Sequence, residues 1–202
     1  MRFVFMLLFS ATTVTVLSQD AKNSNPILFA DMLIGHSWGK SGGFSGGAAL
    51  NFQRNRNLFT VRYVGTTKIH SEVLSPFFPI PLFDEKSNLN ETSALYGWRF
   101  MKTSSAFSFS LGCSYNVFTE QVPDSNNQKL KIRSDYAGIP FEANFKWFKG
   151  KKERFRIYGI IPVGQPTSFG GSIGFKIFGN VSQKSYGGLS LVYGLGFHKK
   201  YE

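Results

Sequence analysis

The sequence is poor in cysteine, in carboxylates and in long apolar runs. Its single cysteine, Cys113, stands among 202 residues. One thiol excludes an internal disulfide and a cysteine zinc cluster. Its setting, Leu111-Gly112-Cys113-Ser114-Tyr115, reads as a small position on an apolar strand and not as a nucleophile. No metal-ligand spacing and no cofactor motif is present, so neither a metal nor a cofactor is expected. Charged residues make up only 17 %, low for a surface that mixes both signs. Beyond residue 18 no apolar run approaches the ~20 residues that a spanning helix needs. A mature chain in a membrane would then have to cross it as a closed barrel, since only helices and closed barrels satisfy every backbone hydrogen bond in hydrocarbon.

Carboxylates number 12 against 23 lysines and arginines, a formal net charge of +11. Such a balance invites a nucleic-acid reading, but the distribution argues against nucleic acid as a partner. The basic residues fall in short clusters: Arg54 and Arg56; Lys149, Lys151, Lys152 and Arg154; Lys199 and Lys200. These read as solvated turns or as contacts with anionic lipid headgroups.

The first 18 residues have the form of a cleavable export signal. Arg2 supplies the positive start, Phe3 to Phe9 an apolar run, and Val16 and Ser18 the small-residue positions before a break ahead of Gln19. No cysteine follows that break, so a lipid anchor is not expected. The expected division is a signal segment, 1–18, and one domain, 19–202, with a mature charge of 11 − 1 = +10.

What the rest of the chain has in abundance is aromatic residues and glycine, with 22 Phe and 21 Gly. That pairing disfavours helices and favours strands. The dominant period is two. From Ala106 to Phe118, Phe107, Phe109, Leu111, Cys113, Tyr115 and Val117 share one face, and Ser108, Ser110, Gly112, Ser114 and Asn116 the other. Similar alternation marks 27–37, 44–53, 58–70, 93–101, 139–148 and 189–197. Connections alternate in length: short basic or polar turns at 54–57, 102–105 and 149–153, and longer links at 71–92 and 119–131. This is the layout of an up-and-down outer-membrane barrel, with short periplasmic turns and longer external loops. The expected fold is all-β: a single antiparallel transmembrane barrel of eight strands, with ten as the alternative. The uncertain stretch is 154–183. An eight-strand count makes 154–164 the seventh strand and puts 169–179 in the last external loop.

A soluble barrel would also alternate. The membrane is favoured because the apolar faces carry Tyr63, Trp98, Trp147, Tyr193 and Phe197, suited to interface girdles. The opposite faces hold Ser, Gly, Asn, Arg and Glu instead of an apolar core. The signal segment, the alternating strands and the terminal Leu191-Val192-Tyr193-Gly194-Leu195-Gly196-Phe197 together resemble the small outer-membrane barrel superfamily, the OmpA/OmpX-like barrels. The Gln19 start resembles exported proteins of Bacteroidota. The resemblance implies residence in the cell outer membrane, contact with its lipid and lipopolysaccharide, and assembly by the barrel-insertion machinery.

The polar faces hold Asp31, Arg62, Lys68, Arg99, Glu142, Lys146 and Arg156. An eight-strand lumen is about wide enough for side chains to fill it, so these read as an internal charge network that closes it. The expected role is structural, or one of presenting loops for binding, without catalysis. The alternatives are a narrow, anion-favouring porin and a lipid A-modifying enzyme. For an enzyme the candidates are His36, Ser37 and His70, but adjacent His36 and Ser37 fall on opposite strand faces. A third possibility is a protein partner at the 71–92 loop, whose Pro76-Phe77-Phe78-Pro79-Ile80-Pro81-Leu82-Phe83 is unusually apolar.

Overall fold

Alternating aromatic or β-branched residues with small polar ones give the chain long antiparallel strands. The computed structural model describes residues 27–73, 81–123, 129–157 and 161–200. The expected signal segment lies outside them. The strands are β1 (Ile27–Gly39), β2 (Gly43–Arg54), β3 (Asn57–Val73), β4 (Pro81–Met101), β5 (Ser105–Pro123), β6 (Lys129–Phe148), β7 (Glu153–Ile157), β8 (Ile161–Thr167), β9 (Phe169–Val181) and β10 (Tyr186–Phe197). Eight of them close into one barrel in the order β1-β10-β9-β6-β5-β4-β3-β2, while β7 and β8 pair only with each other.

The register fixes the dimensions of the barrel. Following paired residues once round, Leu28 leads through Phe52, Phe59, Tyr96, Leu111, Phe141, Gly179 and Gly187 to Trp38, ten positions further along β1. A slip of ten residues, about 33 Å, against eight strand spacings, about 38 Å, tilts the strands by about 41° and gives a radius of about 8 Å. At that tilt each residue climbs about 2.5 Å along the axis, so Leu28 to Trp38 spans about 25 Å, the height of a membrane-facing apolar band.

The eight-strand count is borne out, but its seventh member is not 154–164. It is β9, which pairs with β6 from Phe148↔Ser172 to Ile139↔Val181 and with β10 along its whole length. Strands β7 and β8 form the separate hairpin at the end of the barrel that carries the tight turns. The expected short turn at 149–153 therefore leads into this insertion. Pro162 and Pro166 suit an isolated two-stranded ribbon, whose outer edge needs no ladder donor.

The longer links are also mostly strand. β3 and β4 stay paired to Val73↔Pro81, and β5 and β6 to Pro123↔Lys129. Strands β3 to β6 thus continue as a sheet beyond the far rim, where the shorter β1, β2, β9 and β10 have ended. Asn55, at φ 57° in the turn between β2 and β3, takes the left-handed conformation that a tight hairpin needs.

Candidate functional site in the barrel lumen

The barrel is inside out relative to a soluble one. Outward positions are apolar and exposed, with Met32 at 68 %, Leu50 at 62 % and Ile173 at 60 %. Inward positions are polar and buried, including Asp31, Asn51, Arg62, Glu91, Arg99, Glu142, Asn144, Lys146 and Lys176. A buried charge is tolerable only when paired and hydrogen-bonded, and most of these are.

Two charge clusters occupy the lumen. In one, the Arg62 guanidinium donates to Glu91 (2.6 Å) and Glu142 (3.1 Å), and Lys176 donates to the same Glu142 oxygen (3.0 Å). The second oxygen of Glu91 accepts from Asn180 and from the Tyr186 hydroxyl, both at 2.6 Å. In the other, nearer the tight turns, Lys146 donates to both carboxylate oxygens of Asp31, which also accepts from Asn51 at 2.8 Å. Arg99 has no ion pair among the described residues. It donates to Gln53 and to the His198 carbonyl, both at 2.8 Å, and lies over Phe29 at 4.8 Å and Phe148 at 5.6 Å.

Two apolar clusters pack among these charges. Leu33, Val64, Leu89, Phe118, Tyr136, Phe178, Tyr186 and Val192 pack together from mid-barrel to the far rim, with the Arg62 guanidinium 6.0 Å from the Phe178 ring centroid. Ile27, Phe29 and Leu58 pack at the tight-turn end, where Phe148 stacks on His198. Gly196, at φ 142°, brings the end of β10 against Phe29, with no room for a Cβ beside the Leu28 carbonyl.

Of the seven residues expected in the lumen, five line it: Asp31, Arg62, Arg99, Glu142 and Lys146. Lys68 does not. It has inward parity but is exposed, because β3 has passed the rim there and its register shifts immediately afterwards. Arg156 is on β7, paired with Pro162 off the barrel wall, and its side chain lies outside the described residues. Glu91 and Lys176 complete the network, from the segments 71–92 and 169–179 that the alternation assigns to loops. Their parity was the available signal: Lys176 lies between outward Phe175 and Ile177, and Glu91 is an odd number of positions from outward Ala94.

Of the girdle aromatics, Tyr63, Trp98, Trp147 and Tyr193 are exposed on the outer wall, and Phe197 is half-buried edge-on against Phe169. Trp98, Trp147 and Phe197 lie toward the tight-turn end and Tyr63 toward the other. His36 is exposed beside Trp38, while Ser37 points inward, 2.8 Å from the Ser45 hydroxyl. The His70 side chain and residues 74–80, which include most of the apolar loop segment, lie outside the described residues. Beyond the band, Tyr115 and Arg133 both donate to Asp135, and the Arg133 donors hold that carboxyl below its usual range.

No protein-family profile matches the chain, and no curated protein is similar to it in sequence. Solved structures are similar in fold. Neisserial surface protein A matches with a TM-score of 0.51 at 12 % identity, over 87 % of this chain and 100 % of that one. The N-terminal β-barrel domain of Pseudomonas aeruginosa OprF matches at 0.46 and 11 % identity, over 86 % and 100 %. Ail of Yersinia pestis matches at 0.45 and 9 %, over 86 % and 99 %. The likeness to the neisserial protein spans its whole length and is one of fold: a small, closed, antiparallel eight-strand barrel.

Proposed function

We propose that the protein is a small outer-membrane barrel with a closed lumen, acting as a structural and surface-presenting element and not as a channel or an enzyme. The observation that carries this reading is the lumen itself: its buried charges, most of them paired, are packed among two buried apolar clusters. In this orientation the tight turns and the β7–β8 hairpin face the periplasm, and β3 to β6 project outward. Outer-membrane lipid and lipopolysaccharide surround the apolar band, the insertion machinery assembles the barrel, and the 71–92 connection is where a protein partner would meet it. The projecting sheet supports a presenting role, because it carries Val73 and Pro81, the strand ends within that segment, beyond the rim.

One observation favours an anion path instead. Among the described residues four buried cations, Arg62, Arg99, Lys146 and Lys176, face three buried carboxylates, Asp31, Glu91 and Glu142. Planar-bilayer recording separates the two readings. The closed barrel gives no steady unitary current, and a stable anion-selective current would overturn it.

A further inference from the structure

The outer wall carries a groove of about 300 Å³ across β1 to β4, lined by Leu28, Leu50, Phe52, Phe59, Val61 and Ala94. Its origin is a change of side-chain size between neighbouring rows. Paired residues Phe52, Phe59 and Tyr96 form a bulky row, and the next outward row round the wall is Ala30, Leu50, Val61, Ala94 and Cys113. Above that the row is Met32, Ala48, Tyr63, Thr92 and Tyr115. The small residues Ala94 and Val61 thus leave a trough above the aromatic row, open toward the hydrocarbon.

The turn that joins β2 to β3, the two central walls of the groove, is Arg54-Asn55-Arg56-Asn57. Arg54 shares the outward face with Phe52, two positions away, and Arg56 follows it round the turn; both are exposed. Neither forms an ion pair among the described residues. Trp98, paired with Asn57, stands beside them at headgroup level. The trough lies one outward row above Phe52 and Phe59 and the two free guanidinium groups lie one row below, so a molecule with an acyl chain and a phosphate matches the two together, its chain crossing that row.

We propose that this groove and the Arg54–Arg56 turn bind one anionic glycerophospholipid of the inner leaflet, its chain along Val61 and Ala94 and its phosphate on the two arginines. The proposal rests on the outer-membrane reading, which puts the tight turns in the periplasmic leaflet, where phospholipid and not lipopolysaccharide resides.

The test is native mass spectrometry of the full chain released from nanodiscs of phosphatidylcholine containing phosphatidylglycerol. Folding of each variant is checked by heat-modifiable gel migration. The wild type should retain one phosphatidylglycerol in preference to phosphatidylcholine. Each basic group near an anionic headgroup contributes about fivefold in affinity, so Arg54→Ser with Arg56→Ser should lower the preference by about thirtyfold at low salt, and by less as salt screens it. Ala94→Phe should lower occupancy by both lipids, and Lys151→Ser with Lys152→Ser should leave the preference unchanged. Equal retention of the two lipids by the wild type overturns the site. So does a preference that survives loss of both arginines, one that falls as far in the lysine variant, or occupation of the groove by added lipopolysaccharide. A chain with no heat-modifiable form overturns the outer-membrane reading together with the site, whereas a heat-modifiable chain without the preference overturns the site alone.

Discussion

Removing the Glu142 charge is the sharpest perturbation of the lumen. One oxygen of Glu142 accepts from both Arg62 (3.1 Å) and Lys176 (3.0 Å), and the side chain is 1 % exposed. With Glu91 the cluster holds two cations and two carboxylates, so Glu142→Gln keeps the shape but leaves one buried positive charge unmatched. Breaking a buried pair from one side costs about 3–5 kcal/mol, a large share of the ~5–15 kcal/mol that folding usually yields. Adding Lys176→Met restores neutrality with an apolar chain of similar length. The double variant should therefore be more stable than Glu142→Gln alone, with a coupling of about 1–3 kcal/mol. Both are measured by urea titration of the barrel in lipid vesicles, with the folded fraction read from heat-modifiable migration. A Glu142→Gln variant within about 0.5 kcal/mol of wild type would refute the reasoning, because the carboxylate would then be hydrated. Strict additivity in the double variant would refute the pairing with Lys176.

Two further substitutions test the two faces of the fold. Met32→Arg puts a charge in the middle of the apolar band and should cost about 2–4 kcal/mol in lipid; a cost near zero in the same titration would mean that this face meets water. Replacing residues 151–168 with a tight Gly-containing turn should leave a heat-modifiable barrel, because β6 and β9 pair directly with each other; loss of the folded band would mean that the hairpin belongs to the wall.

The alternation of Phe107 to Val117 with Ser108 to Asn116 was legible from the chain alone, since a strand's period of two sorts the faces before any pairing is known. The barrel closes on those faces as read. What the period could not supply was partnership. Residues 154–164 and 169–179 both alternate, and only the long-range pairing of β9 with β6 and β10 decides which one is wall. Loop boundaries failed for a related reason. Ser, Asn, Glu and Lys usually mark a connection, but in an inside-out barrel they also fill the lumen, so the strand around Glu91 read as loop. Proline is compatible with these long strands too, since Pro81 and Pro123 stand at strand ends beyond the rim, where a missing donor costs little. Lys68 shows the converse error: parity indicates which way a side chain points, but not whether the barrel wall is still closed at that height.

The outer-membrane reading depends most directly on where the mature chain resides and in what form. Separation of cell envelopes, followed by gel migration with and without heating, measures both together. The account predicts recovery in the outer-membrane fraction, with an unheated band that migrates apart from the boiled one. A soluble periplasmic protein with one heat-independent band would contradict it.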